Sequence, residues 1–509
     1  MRSLAPLVPF VAVAALAAQE VGITFHPRQQ YELPETQPAG TAVADVDNDG
    51  DLDLLFALYA GSNSGGDKVG ILRNDGAGDF SDSIEVLVGR QPLGLTVADL
   101  DGDFDLDFAV TLYVAYALPE YNAARVFLND GHGVFTAGSW LANVGSFPIA
   151  IANADVDEDG HVDLLIAHNH GQPVRLFRGV GSGLFAAGTN VANTGGSLNG
   201  IQCADLDGDG HVDLVLHALG APYVRFGDGR GAFAVRSGFA LPSGLMVVRA
   251  VDLDEDGILD LLGANGSVVT AHLGIGGARF AFAHAMNAGC VTGLPDTGDF
   301  NGDGIPDFAA TCPEFFASAI AYAPGNGHGS FRAAARVGTG GFPDGTEPLA
   351  TMTGDFDGDG FDDVAAPCRN LGQTPYVQVF LALSNANGWT FLGLGHGGAN
   401  GTPLLRGRGE LTQGTALALE TSHAAPHAPL AIVIGFARQD LPLLDGTLVP
   451  TIDLLAAGLV ADANGRATFT ATWPSGTPAG TSLWLQSWIL DPTSSAGLAS
   501  SNGLRGTGR

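Results

Sequence analysis

Aspartate recurs at alternate positions in seven short segments of this chain. They read DVDNDGDLD from Asp45, DLDGDFDLD from Asp99, DVDEDGHVD from Asp155 and DLDGDGHVD from Asp205. They continue as DLDEDGILD from Asp252, DFNGDGIPD from Asp299 and DFDGDGFDD from Asp355. A tight turn with this spacing aims several carboxylates at one point. That donor set suits a hard cation such as Ca²⁺, which takes six to eight oxygens at about 2.3–2.6 Å. In the first segment Asp45, Asp47 and Asp49 offer side chains, Asp51 a backbone carbonyl, Asp53 closes the site and Gly50 allows the bend. The same roles fall on Asp99, Asp101, Asp103, Asp105 and Asp107, and on Asp155, Asp157, Asp159, His161 and Asp163. They recur on Asp205, Asp207, Asp209, His211 and Asp213, and on Asp252, Asp254, Asp256, Ile258 and Asp260. The last two sets are Asp299, Asn301, Asp303, Ile305 and Asp307, then Asp355, Asp357, Asp359, Phe361 and Asp363. The rings of His161 and His211 are expected to face solvent, leaving only their carbonyls as donors.

A helix-loop-helix calcium site needs an acidic side chain at the twelfth position. Here that position holds Phe56, Val110, Ile166, Leu216, Gly263, Ala310 and Ala366, and most of these continue a strand. The expected form is therefore a nine-residue β-hairpin loop, up to seven of them, each with one Ca²⁺. Two loops are expected to bind more weakly. Phe104 replaces the bend glycine of the second, and Asn301 removes a charge from the sixth.

The charge pattern supports a cation. The net charge is -32, and 32 of the 54 acidic residues lie in these seven segments. Clustered carboxylates without a counter-ion destabilise a fold. The same balance argues against nucleic acid, which an acidic surface repels.

The elements that position the loops follow from their period. Successive loops start 47 to 56 residues apart, the spacing of propeller blades or solenoid units. Between them a Gly-rich turn runs into an aromatic residue: Phe80, Phe135, Phe185, Phe233, Phe280, Phe331 and, after a degenerate turn, Phe391. Asn-Asp-Gly and Gly-Asp-Gly between apolar runs signal hairpins, because such turns need positive φ. Each unit thus has a small-residue strand, the Asp loop, an apolar strand, a third strand, the Gly-rich turn and a fourth. Four antiparallel strands per period make a propeller blade. The expected fold is all-β, a seven-bladed β-propeller followed by a C-terminal β-sandwich-like domain.

The paired Asp loop and Gly-aromatic turn, seven times over, resemble the FG-GAP or VCBS repeats of integrin α-subunit propellers and of secreted bacterial proteins. The resemblance spans residues 23–398 and implies the propeller fold and calcium loops. It does not imply integrin function, because no leg region or transmembrane helix follows.

Outside the repeats, Arg2, an apolar run from Leu4 to Ala18 and Ala15-Leu16-Ala17 fit an export signal over 1–17. A secreted or extracytoplasmic location is expected, and the cell surface is possible. Residues 399–403 read as a linker, and 404–509 as the C-terminal domain, with strand-like alternation at 467–473 and 482–488. Within it, Trp484 and Trp488 are expected to be core aromatics, with a sugar-stacking platform as the alternative. The four cysteines, Cys203, Cys290, Cys312 and Cys368, permit three full pairings; Cys290 and Cys312 flank one Asp loop and could close a hairpin, and Cys203 reads as a buried apolar residue of a strand. Residues 23–32 are expected to supply the outer strand of the last blade, with 389–395 as the competing candidate.

No catalytic signature is present. His168 and His170 read as a solvated loop, and His423 and His427 carry no partner signal. The expected function is a non-enzymatic adhesion or binding module for an extracellular glycan or protein, monomeric, with no nucleic acid and no transmembrane segment. The alternative is a polysaccharide-active lyase or hydrolase on the same scaffold. The longest connections between second and third strands lie in neighbouring blades six, seven, one and two. They carry a candidate ligand surface of Tyr59, Asn63, Tyr113, Tyr116, Tyr121, Asn122, Arg369, Asn370, Gln373 and Tyr376, opposite the Asp loops.

Overall fold

The architecture is given by a computed structural model. It describes residues 23, 25, 29–33, 37–59, 66–76, 78–113, 122–192, 196–218, 221–290, 293–312, 319–338, 346–348, 350–358, 360–370, 374–382, 389–391, 403–408, 411–422, 424–443, 446–462, 467–478, 480–492, 494, 497–501 and 503–507. The described residues are strands, turns and bends, without a helix. None is part of a helix long and apolar enough to cross a membrane.

Each blade is organised by its second strand. Asp53–Tyr59 reads DLLFALY and is buried over its first six residues. A strand covered on both faces needs apolar residues at every position, not at alternate ones. Leu54, Phe56 and Leu58 face one cluster, shared with Met352, Phe356 and Val379 of the seventh blade. Leu55 and Ala57 face the other, shared with Phe108, Val110 and Phe127 of the second. The first strand, Gln37–Ala44, lies beside the second; Lys68–Arg73 and Asp82–Leu87 complete the sheet.

The pattern repeats in six four-stranded antiparallel sheets, the last ending at Ala335–Gly338. The seventh sheet draws on both ends of the propeller segment. Asp363–Asn370 and Tyr376–Phe380 follow two short inner strands, and Gln29–Glu32 supplies the outer edge, with Gln29 opposite Val379 and Glu32 opposite Tyr376. The N-terminal segment therefore provides the outer strand of the last blade. Phe25 adds to this seam, with its ring 5.2 Å from that of Tyr322 and 6.2 Å from that of Phe380. Apolar clusters join blades one to two, two to three, and so on round to seven and one.

Trp389–Phe391, assigned by sequence to the segment 23–398, instead pairs with Leu504–Gly506 in the C-terminal sheet. With its outer position filled by Gln29–Glu32, the seventh blade has no place for it. The C-terminal region stacks this sheet on a three-stranded one of Leu404–Arg408, Ala416–Ser422 and Ala467–Thr472. Leu405, Leu419, Ile432, Trp473, Leu485 and Leu504 fill the space between. Trp473 is the core tryptophan; Trp484 and Trp488 are half-buried, contrary to the core expectation.

Cys290 and Cys312 form a disulfide. It does not close a hairpin. It ties the end of blade five, beyond Phe280–Asn287, to the second strand of blade six, Asp307–Cys312. Cys203 is partly buried and Cys368 fully so.

Candidate metal-binding loops

The first loop shows how the sequence folds into a cup. Asp45 Oδ2 accepts the Gly50 N–H at 3.0 Å, and Asp49 Oδ1 accepts that of Asp51 at 3.0 Å. These bonds curl the backbone so that two residues take positive φ, Asn48 at 57° and Gly50 at 96°. The sixth position is left-handed in every copy, including Phe104 at 76°, where only glycine is unstrained. The fourth position is left-handed too, a constraint the sequence reading missed. Asn48, Glu158 and Glu255 fill it in three loops, and glycine in the others.

The closing aspartate has a structural task in addition to its expected ligand role. Asp53, Asp107, Asp163, Asp213, Asp260, Asp307 and Asp363 are all fully buried. Each accepts two backbone N–H groups. Asp213 takes Leu206 N–H at 3.1 Å from its own loop and Gly227 N–H at 2.8 Å from the end of the third strand. Asp53 takes those of Val46 and Asn74, and Asp307 those of Phe300 and Gly325. Burial raises the pKa of Asp107, Asp163, Asp213 and Asp260 to about 6, of Asp53 to about 7 and of Asp307 to about 8. The N–H bonds pull the other way but do not prevail. Asp51 is likewise raised to about 6, by burial and then by Asp49.

The carboxylates converge. One oxygen each from Asp45, Asp47 and Asp53 lie within 4.8 Å of one another. The same holds for Asp99, Asp101 and Asp107; Asp155, Asp157 and Asp163; Asp205, Asp207 and Asp213; and Asp252, Asp254 and Asp260. Several of these carboxylates also have an oxygen that is buried without a hydrogen bond: Oδ1 of Asp45, Asp47, Asp157, Asp252 and Asp254. An unsatisfied buried carboxylate oxygen is costly. A cation at the convergence point would satisfy all three donors at once, and an all-oxygen set fits a hard one. The residues present therefore fit a metal such as calcium.

The loops differ in their surroundings. Arginines of the same blade reach the second carboxylate: Arg73 to Asp47 at 3.6 Å, Arg178 to Asp157 at 2.6 Å, and Arg236 to Asp207. In the sixth loop Asn301 is buried and donates its amide to both oxygens of Asp307, at 3.1 and 3.0 Å, while accepting from Asp303 N–H at 3.0 Å. Presenting an oxygen to a cation there requires turning the amide over, which breaks these bonds. His211 faces solvent as expected, and there its Nδ1 lies 2.5 Å from the exposed Glu158 of the preceding loop, which raises its pKa. His161 is exposed, and Asp359 lies outside the described residues.

Adjacent blades interlock at this face. Asn129 donates to Val46 O of blade one at 2.7 Å, and Asn74 to Phe356 O of blade seven at 2.7 Å. Elsewhere the backbone does the same, Gly231 N–H to Val156 O and Gly277 N–H to Asp207 O. The Gly-rich turns are thus inter-blade clamps as well as hairpins. The recurrence of Asn before Asp-Gly at 74 and 129 was the available signal.

On the opposite face, Tyr376 is 7% exposed and cannot offer its ring to a ligand, which corrects the expectation. Asn122 is buried and donates to Gly145 O at 3.1 Å. Tyr59 and Tyr113 are half-buried. Tyr113 packs its ring 5.2 Å from Phe147, which lies 4.4 Å from the ring of His170. Asn63, Tyr116, Tyr121 and Gln373 fall outside the described residues, as do the side chains of Arg369 and Asn370. His168 is not in a solvated loop but buried, its ring nitrogens 3.0 Å from Pro173 O and 2.5 Å from Val144 O, and burial lowers its pKa.

Residues 45–110, 155–216 and 299–366 match the FG-GAP-like repeat. The chain carries FG-GAP-like repeats. These matches hold six of the seven Asp loops whole, all but the fifth, and each ends in the next blade's second strand. No curated protein sequence matches the chain. Among solved structures it is similar to BBS1N in complex with ARL6DN, at 10% identity, 70% of this chain, 96% of that one and a TM-score of 0.43. An Agrocybe aegerita lectin that recognises non-reducing terminal N-acetylglucosamine aligns at 16% identity, 69% and 93% coverage and 0.39. The V. cholerae biofilm matrix protein Bap1 aligns at 13%, 96%, 71% and 0.28.

Proposed function

We propose that this FG-GAP-like propeller is an extracytoplasmic, calcium-loaded binding module, not an enzyme. The observation that carries the calcium reading is the repeated cup of three converging carboxylates with buried oxygens that make no hydrogen bond. Asp45, Asp47 and Asp53, and their counterparts around the ring, would hold the ion; a bound calcium supplies charge neutralisation and rigidity. The closing aspartates already organise the backbone, so the ion completes loops that are largely formed. The disulfide between blades five and six agrees with an oxidising compartment.

The test is a calcium titration of the full chain by calorimetry. Several sites with dissociation constants on the order of 10⁻⁵ to 10⁻³ M are expected. Absence of calcium heat, together with a melting curve indifferent to chelator, would refute the metal reading. For binding, retention of a glycan without bond cleavage supports the module; cleavage products support the polysaccharide-active alternative.

A further inference from the structure

Blade four departs from its neighbours at the rim. Its outer strand, Phe233–Ala234, is two residues long, whereas that of blade five, Phe280–Asn287, has eight. After Ala234 the chain leaves the sheet and runs toward blade five. A cavity of about 570 Å³ opens between this segment and the Gly-rich turn of blade five. That size is within the usual range for small-ligand sites.

Its lining is unlike the rest of the molecule. Arg236 and Arg279 contribute guanidinium groups, Phe239 and Phe282 aromatic rings, and Ser237 a hydroxyl. None of the residues lining it is acidic, in a chain of net charge -32. Phe282 is 65% exposed. Arg279 donates only to carbonyls of its own turn, Gly276 O at 3.2 Å and Ile275 O at 3.4 Å, and has no carboxylate within 4 Å among the described residues. Arg236 is braced: its guanidinium lies 3.9 Å from the centre of the Phe226 ring, whose other neighbour is Phe239 at 4.9 Å.

Both walls are pinned to one residue. Asp207 holds Arg236 through its carboxylate and the turn of blade five through its carbonyl, which accepts Gly277 N–H at 3.1 Å. Both walls of the cavity are therefore tied to the fourth Asp loop.

We infer that this rim cavity between blades four and five binds a carboxylated saccharide, a uronate residue of an acidic glycan. The inference deepens the binding-module reading and rests on it. A uronate sugar has an apolar ring face for Phe282 and a planar carboxylate one ring-width away for Arg279, whose fork matches carboxylate geometry. An acidic peptide side chain has the carboxylate without the flat apolar face.

The experiment is calorimetric titration of the calcium-saturated full chain with a hyaluronan oligosaccharide and with its carboxyl-reduced derivative. The acidic form is expected to bind at least about tenfold more tightly. Arg279→Ala should abolish that preference, and Phe282→Ala should weaken both forms, each at an unchanged melting temperature. Equal affinity for the two saccharides overturns the inference. So does undiminished binding in both variants, which moves the site elsewhere but leaves the binding module standing. Binding of a polyglutamate peptide without any saccharide overturns the sugar assignment, and no saccharide bound by the wild type removes the glycan reading with it.

Discussion

The propeller and the C-terminal region solve the same problem with different chemistry. Residues 404–509 hold seven of the 54 acidic and six of the 22 basic residues, so they are almost neutral; nearly all the negative charge belongs to the blades. The C-terminal sandwich is cohesive through apolar packing around Trp473. The blades have apolar clusters too, but each also gathers carboxylates at one end, where burial and mutual repulsion oppose folding. One region coheres through apolar packing, and the other adds carboxylate clusters that could hold cations.

That contrast predicts two separable thermal transitions. Chelation of calcium should lower the propeller transition by many degrees, because ligation stabilises only the native loops. The C-terminal transition should not move. Differential scanning calorimetry with and without chelator checks this; a common shift of both transitions would mean the regions do not differ in this way.

Next in size is loss of a closing aspartate. Asp213→Ala leaves the buried N–H groups of Leu206 and Gly227 without an acceptor. Each orphaned donor costs about 1–3 kcal/mol, so a loss of roughly 2–6 kcal/mol is expected even without calcium. Asp209→Ala, at an exposed carboxylate of the same loop, should weaken calcium binding but cost the metal-free protein little. Equal destabilisation of the metal-free protein by both changes would deny the closing residue its separate structural task.

The pH dependence has a definite sign. The closing aspartates have folded pKa values of about 6 to 8 against 3.8 for the free side chain. Below 3.8 both states are protonated and nothing is lost. As pH rises, the unfolded chain releases these protons first and is favoured, so stability of the metal-free propeller falls between about pH 4 and pH 8. Calcium favours the ionised form and offsets the fall. The gap in melting temperature between calcium-loaded and metal-free protein should therefore widen over that interval; a constant gap would show that the closing carboxylates do not titrate with folding.

Much of this architecture was legible in the sequence, because each repeat states it again. The seven Asp loops and the hairpin turns follow from period and pattern; for the outer strand of the last blade the sequence offered residues 23–32 and 389–395, and the pairing of Gln29–Glu32 decides between them. What was not legible depended on partners far apart in the chain. Tyr376 looks exposed in a loop-like stretch, yet it pairs opposite Glu32 and is buried. Trp389 looks like a last blade strand until Leu504–Gly506 claims it. His211 finds Glu158 only because consecutive loops stand side by side in the ring. The rim cavity at Arg279 depends on where one short strand stops, which no local pattern records.

The smallest effect expected is also the sharpest test of how the loops differ among themselves. Phe104 sits at φ 76° with its side chain 89% exposed. The other six loops have glycine there, all between 78° and 96°. A bulky side chain in that region costs roughly 1 kcal/mol, and this one recovers little by burial. Phe104→Gly should therefore stabilise the propeller by about 1 kcal/mol, despite the added freedom of the unfolded chain. It should also tighten calcium at the second loop, since less strain opposes the ligating geometry. Melting and calcium titration of the variant check both effects. If stability does not rise, the loop conformation is not strained by Phe104, and the expectation of weaker binding at the second site falls with it.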